Sequence, residues 1–326
     1  FVMNKKHIAV VMGGYSSEFE ISLKSGNVVC EFINAEKYHI YPIHILKEGW
    51  DYVAPNGNKY PINRADFSFS NGTNVIKPDV VFNTIHGTPG EDGYLQAYLS
   101  LINIPQTSAP FYQAALSFNK RDCLSVLKNA GIICAKSYYL TKGDAIPHKE
   151  IIETVGLPCF VKPNRAGSSF GISKVSNSEE LDSAIHKAYQ EDDEIIIEKA
   201  IKGVEVSVGV FKNQENLIIL PFTEIVSETE FFDYEAKYLG KSNEITPARI
   251  SEEDAEKVRQ EIKKIYKALN MKGLTRTEFI IQDGIPYFLE INTNPGLSKE
   301  SIIPKQIKEI GMSLTDLFDR MIQNVI

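Results

Sequence analysis

Short unbroken apolar blocks alternate with longer stretches of helical period along this chain. Residues 7–12, His-Ile-Ala-Val-Val-Met, read as a buried strand. The strand runs into Gly13-Gly14-Tyr15-Ser16-Ser17-Glu18, and a helix is expected from about residue 20 to residue 34. Strand, glycine turn and helix are how an α/β unit opens. A second block, residues 80–85, ends in His86-Gly87-Thr88-Pro89-Gly90-Glu91-Asp92-Gly93, with a helix expected from Tyr94. Residues 111–130 have one helical pattern throughout, carrying Asn119-Lys120. Gly156-Leu157-Pro158-Cys159-Phe160-Val161-Lys162-Pro163 reads as a strand bearing a lysine, held extended by the proline. Residues 195–199 form another strand with a charged end, Glu198-Lys199. Residues 224–241 keep neither period and are expected to form a long loop, of the kind that serves enzymes as a lid. Residues 252–269 are strongly amphipathic, and residues 313–325 read as a closing helix.

The stretch richest in chemistry lies between those last two helices. Residues 277–281 and 287–291 are β-branched, aromatic and apolar, and Asp283-Gly284 between them predicts a hairpin turn. Side chains alternate faces along a strand, so Arg276, Glu278 and Ile280 share one face, as do Phe288, Glu290 and Asn292. Paired strands would then point two carboxylates the same way, with an amide oxygen just beyond. Hard oxygen donors of this kind suit Mg²⁺ that also holds phosphates. An ordinary solvated hairpin face is the other reading of the same residues. Residues 164–172, Asn-Arg-Ala-Gly-Ser-Ser-Phe-Gly-Ile, are small and polar enough to fold over phosphates. No GxGxxG and no GxxxxGK[ST] occurs, so neither a dinucleotide fingerprint nor a Walker A loop is present.

Composition narrows the class. The 326 residues allow two or three domains, and 43% hydrophobic with 24% charged residues is ordinary for a soluble globular chain. A net charge of −7 argues against a general nucleic-acid binder. No apolar run has the length of a membrane span and no signal peptide is evident; Phe1 in first place is expected of a trimmed end. Cys30, Cys123, Cys134 and Cys159 lack the spacing of a zinc site and are expected to be reduced thiols. A cytoplasmic enzyme fits these features.

Six segments in order, GGYSSEFEISLKSG, HGTPGEDG, VKPNRAGSSFGISKV, IEKAIKGVE, FFDYEAKY and EINTNPGLSKESIIP, make the chain resemble the D-alanine–D-alanine ligases of the ATP-grasp superfamily. The resemblance spans nearly the whole length. It implies a mixed α/β, three-domain ATP-grasp fold: an N-terminal open parallel-sheet domain at 1–108, a central subdomain at 109–203 and a metal-binding subdomain at 204–326. It implies ligation of two D-alanines through an acyl phosphate for peptidoglycan synthesis, with ATP and Mg²⁺ (or Mn²⁺), two ions carried with the nucleotide. No nucleic acid or membrane is implied as partner, and a homodimer through the N-terminal unit is expected.

The roles that the resemblance implies are specific. Glu20 would hold the ammonium of the first D-alanine, linked to Ser168 and Tyr238 in the lids. His86 would lie near the first substrate's carboxylate. Lys120 and Lys162 would meet the ATP phosphates, Lys237 the γ-phosphate, and Glu198 and Glu205 the adenine and ribose. Arg276 and the Gly296 N–H would stabilise the oxyanion. Glu278, Glu290 and Asn292 would bind Mg²⁺, and Ser301 the second D-alanine's carboxylate. The chain departs from the family pattern at Glu278, where aspartate is usual, at Ala166, where glutamate is frequent, and at Asn294 and Ser298. Tyr238 favours an amine acceptor. A D-lactate or D-serine acceptor, and a nucleotide-binding protein that has lost catalysis, are the alternatives.

Overall fold

The computed structural model describes residues 5–167, 169–213, 216–227 and 242–326. Ser168, Lys237 and Tyr238 therefore lie outside the described residues, as do residues 228–241 of the expected lid.

Three sheets organise the chain. The first runs Lys59–Pro61, Trp50–Val53, Tyr38–Ile45, Lys6–Gly13, Val80–Asn83 in spatial order. Its last three members are parallel, while Trp50–Val53 and Lys59–Pro61 add antiparallel strands at one edge. The expected open parallel sheet is thus a mixed one. Lys6–Gly13 reads as a continuous apolar run because both of its faces are covered. Ala9 and Val11 join one buried cluster, and Ile8, Val10 and Met12 another. The second of these clusters also takes in Phe318 and Leu317 from the closing helix Leu314–Gln323, with Phe82 and Phe318 edge to face at 5.4 Å. The two chain ends therefore share a core.

The second sheet is antiparallel, ordered Ser173–Val175, Cys159–Pro163, Glu194–Lys199, Ser137–Thr141. The third is also antiparallel: Ser242–Ile245, Thr223–Ser227, Val204–Asn213, Gly273–Gln282, Ile285–Asn292, with Asn216–Ile219 paired to Val204–Asn213. The amphipathic helix Glu252–Leu269 covers one face of it through Val258, Ile262 and Ile265, all fully buried. Ser251 caps that helix by accepting the Asp254 N–H.

Two expected elements differ. Residues 111–130 form two helices, Phe111–Phe118 and Lys120–Asn129, because Asn119 takes an extended conformation and caps the second through the Asp122 N–H. Apolar period alone does not register a one-residue break that keeps both halves amphipathic. Residues 224–227, expected to begin the lid, belong to the strand Thr223–Ser227, which is paired on both sides. All four cysteines are free thiols. No helix among the described residues is long and apolar enough to cross a membrane.

Candidate active site

The hairpin Gly273–Gln282 and Ile285–Asn292 turns at Asp283-Gly284, both at positive φ (52° and 73°), as a two-residue primed turn requires. Its register makes Glu278 the direct partner of Glu290, and Arg276 that of Asn292. Directly opposed residues point to one face, with Cβ atoms about 5 Å apart. Two carboxylates and an amide thus stand side by side. A bulge between Glu278 and Phe279 then changes the count. Beyond it Phe288 pairs with Phe279, and their rings pack edge to face at 5.9 Å in the core. The expectation that Phe288 shares a face with Glu290 is corrected by this bulge, which inserts one residue and reverses the alternation.

Arg276 lies against its neighbour's carboxylate: Nη2 is 2.8 Å and Nε 3.0 Å from Glu278 Oε1. Both side chains are almost fully buried. The longer glutamate reaches back along its own strand. Lys120, the first residue of its helix, donates to the Ala166 carbonyl at 2.8 Å and stands 3.9 Å from Glu290. Lys162 donates to Glu198 Oε2 at 2.6 Å. Burial works to lower the Lys162 ammonium's pKa, but the charges of Glu198, Glu290 and Glu205 outweigh it and raise it. Lys162 is therefore a fixed positive charge in a dry site.

Lys120, Lys162, Glu198, Glu205, Glu278 and Glu290 line a cavity of about 140 Å³ between the second and third sheets, with Phe160, Ile172, Ile280 and Leu289 as apolar walls. A flat aromatic base and a string of phosphates fit such walls and such charges. The register pair Glu278–Glu290 fits a divalent cation: two adjacent carboxylates repel unless a cation separates them, and both offer hard oxygens. Asn292 Oδ1 accepts the Asn294 N–H at 2.8 Å, which fixes the amide and leaves a lone pair.

A second, open cavity of about 970 Å³ adjoins it, Ala166 and Gly167 lining both. Glu18 lines this cavity, is 6% exposed, and comes so near the phosphate loop that a Cβ on Gly167 would stand 2.8 Å from its Oε2. Glu20, expected in this role, is exposed on the outer face of the helix Phe19–Phe32. Helical spacing carried the signal: Glu18 precedes the buried Ser22, Ser25 and Val29 by four, seven and eleven residues, and Glu20 is off that stripe.

Glu91 was also missed. It is buried and accepts the Gly87 N–H at 2.9 Å. Burial, then the charge of Glu18, push its carboxyl up to about 8, against the pull of that N–H. A carboxyl raised this way is neutral in the fold and charged in the unfolded chain at neutral pH. Its stabilising contribution is complete below the unfolded pKa and is lost as pH rises through the folded one. Urea denaturation without nucleotide or divalent cation is expected to show a loss from this group on the order of 3 kcal/mol between pH 5 and pH 8. Glu91→Gln, which keeps an acceptor for Gly87, should flatten that slope; an unchanged slope would count against a raised Glu91.

His86 is 5% exposed, and both ring nitrogens lie within hydrogen-bond distance of protein atoms: Nδ1 at 2.9 Å from the Asn294 carbonyl, Nε2 at 3.2 Å from Ser25 Oγ. A Cβ on Gly296 would stand 3.0 Å from Ser301 Oγ, close enough that the hydroxyl would have to shift. Ser301 is the N-cap residue of the helix Ile302–Glu309 but its hydroxyl makes no cap; it lies 2.7 Å from Ser298 Oγ. The helix start, with its unpaired N–H groups, suits a carboxylate. Gln306 locks that helix to the sheet, accepting the Gly209 N–H at 2.9 Å and donating to the Ser207 carbonyl at 2.8 Å.

The family model described as D-ala D-ala ligase N-terminus matches residues 7–109, and that described as D-ala D-ala ligase C-terminus matches residues 126–323. The D-alanine--D-alanine ligase of Flavobacterium johnsoniae is 59% identical over 318 residues, covering 98% of both chains. That of Christiangramia forsetii is 56% identical, again with 98% of each chain covered. Among solved structures, the VanG D-Ala:D-Ser ligase from Enterococcus faecalis superposes with a TM-score of 0.88 at 35% identity, covering 99% of this chain and 100% of that one. The Bacillus anthracis D-alanine--D-alanine ligase complexed with ATP gives a TM-score of 0.79 at 28% identity, covering 98% and 97%.

Proposed function

We propose how the residues of this cleft divide the work, from the premise that the chain belongs to the D-alanine–D-alanine ligase family, of ATP-grasp fold. Its reaction is the ATP-dependent joining of two D-alanines for peptidoglycan synthesis. A carboxylate is a poor acyl donor, so ATP phosphorylates that of the first D-alanine to an acyl phosphate, releasing ADP; the amine of the second D-alanine attacks the acyl carbon, the C–O bond to phosphate breaks, and inorganic phosphate and a proton leave. The observation that carries the assignment of roles is the register pairing of Glu278 with Glu290 beside Arg276 and Asn292.

Glu278, Glu290 and Asn292 would hold Mg²⁺ (or Mn²⁺), which when bound neutralises charge on the transferring phosphoryl group. We read two ions there with ATP. In support, these side chains offer more oxygens than one octahedral ion shared with phosphates would use. Lys120 and Lys162 neutralise and orient phosphate oxygens. Glu205, and Glu198 held by Lys162, line the smaller cavity and would meet the adenine and ribose. Arg276 and the Gly296 N–H would stabilise the tetrahedral oxyanion, about 3–4 kcal/mol for a donor of this kind. Ser301, at a helix start, would take the acceptor's carboxylate. Glu18, in place of Glu20, would hold the first D-alanine's ammonium. Ser168, Lys237 and Tyr238 keep the lid roles that the resemblance implies. Closure of such a lid would keep water from the acyl phosphate.

Of the division at 1–108, 109–203 and 204–326, the first boundary is supported by the family model that ends at residue 109, and the second by the change from the second sheet, whose strand Glu194–Lys199 precedes it, to the third, which begins with Val204–Asn213. A homodimer through the N-terminal unit is supported by Tyr94 and Leu101, exposed seven residues apart on one helix face. A cytoplasmic location accords with ATP as substrate.

The test is ADP release with D-alanine, L-alanine and D-lactate, separately and in pairs. Release that requires D-alanine is expected. Release independent of it, or ATP binding without turnover, would overturn the reading; D-lactate prevailing over D-alanine as acceptor at neutral pH would favour the ester-forming alternative. Within the same assay Glu18→Gln should raise the D-alanine KM at least about tenfold, the loss of one charge-assisted hydrogen bond. Glu20→Gln should leave it unchanged. The reverse ranking would restore Glu20.

A further inference from the structure

We propose that Asn294, His86 and Ser25 form a clasp that fixes the turn 292–296 against the N-terminal sheet, and that His86 serves turnover through this clasp instead of by touching substrate. The inference rests on the roles given above to Asn292 and Gly296.

The turn belongs to the third sheet, whereas Ile85 and His86 follow the strand Val80–Asn83 of the first, more than two hundred residues away in sequence. Asn294 joins them twice. Its Nδ2 donates to the Ile85 carbonyl at 2.7 Å, and its carbonyl faces His86 Nδ1 at 2.9 Å. Its backbone N–H meanwhile donates to Asn292 Oδ1 at 2.8 Å. The residue that anchors the turn thus also sets the orientation of a metal-binding amide.

The ring's protonation follows from its partners. A carbonyl oxygen only accepts, so Nδ1 carries the proton. Nε2 stands 3.2 Å from the Ser25 hydroxyl, within hydrogen-bond distance. Ser25 Oγ also accepts the Leu297 N–H at 3.4 Å, one residue past Gly296. The first helix, the strand-end loop and the turn meet at one imidazole. Ser25, His86 and Asn294 are each at most 5% exposed, so these bonds are not screened by solvent. By contrast, the exposed pair Lys299–Glu31, which also ties the turn region to the first helix, adds little. An error near 1 Å in the position of the Gly296 N–H or Asn292 Oδ1 is the sort of misplacement that costs about a hundredfold in rate.

Steady-state kinetics of wild type, His86→Asn, His86→Leu and Asn294→Ala test the proposal. An asparagine amide nitrogen stands about where Nδ1 does and is uncharged. His86→Asn is therefore expected to keep kcat within about fivefold and the D-alanine KM within about twofold. His86→Leu and Asn294→Ala should each lower kcat by about fiftyfold with the ATP KM unmoved, and their combination should be no worse than either alone. A D-alanine KM raised as much in His86→Asn as in His86→Leu would mean that the ring meets substrate. Wild-type kcat in Asn294→Ala, or an ATP KM that rises in parallel, would also overturn the clasp. If His86→Leu does not fold, His86→Asn and Asn294→Ala still decide. D-alanine-dependent ADP release by the wild type separates the outcomes: its absence defeats the assigned function, whereas its presence with an unaltered Asn294→Ala defeats only the clasp.

Discussion

Glu290→Gln is expected to lower kcat by at least about a thousandfold, the equivalent of about 4 kcal/mol in the barrier. The change is nearly isosteric and removes only charge. Glu290 stands directly opposite Glu278 in the register, on the face that opens to the smaller cavity. Its side chain is about one-third exposed, and the cations near it keep other partners: Lys120 donates to the Ala166 carbonyl and Lys162 to Glu198. Folding should therefore survive while the affinity for divalent cation falls. Single-turnover ADP formation, with Mn²⁺ binding measured alongside, separates the two. Turnover within tenfold of wild type would mean that this hairpin does not hold the metal.

Arg276→Met should act twice. Loss of the oxyanion donor is expected to cost at least about a hundredfold in kcat. The second effect is on stability. Arg276 and Glu278 are ion-paired at 2.8 Å with both side chains nearly dry, so removing the guanidinium leaves a carboxylate buried without that counter-ion. Breaking a buried pair in this way costs about 3–5 kcal/mol. The double variant Arg276→Met/Glu278→Gln removes both charges and should regain most of the stability but none of the activity. Denaturation midpoints and kcat, measured on both variants, check this. A stable single variant would show that solvent reaches Glu278. A double variant that regains activity would show that Arg276 is not the oxyanion donor.

The hairpin Gly273–Gln282 and Ile285–Asn292 was legible because its signals are local. Alternation, a two-residue Asp-Gly turn and polar residues on one stripe all lie within seventeen residues. What was not legible depends on partners distant in sequence. The bulge at Glu278 and Phe279 arises where Phe279 and Phe288 must both enter the core over the helix Glu252–Leu269, and nothing within the hairpin announces that demand. The choice between Glu18 and Glu20 is a matter of helix phase, visible only if the buried stripe is traced back through the N-cap. Asn294 looked like variation beside a Pro-Gly turn. Its partners, Ile85 and His86, are brought to it by the fold alone. The mixed character of the first sheet has the same origin, since the strands Trp50–Val53 and Lys59–Pro61, four and three residues long, are too short to show a period of their own.

The most direct measurement is anomalous diffraction from crystals soaked with Mn²⁺ and a non-hydrolysable ATP analogue. The account predicts an anomalous peak at coordination distance, close to the 2.0–2.1 Å typical of Mg²⁺, from oxygens of Glu278, Glu290 and Asn292, with nucleotide phosphates completing the shell. A nucleotide-bound cation held by other side chains, with all three of these turned away, would contradict it.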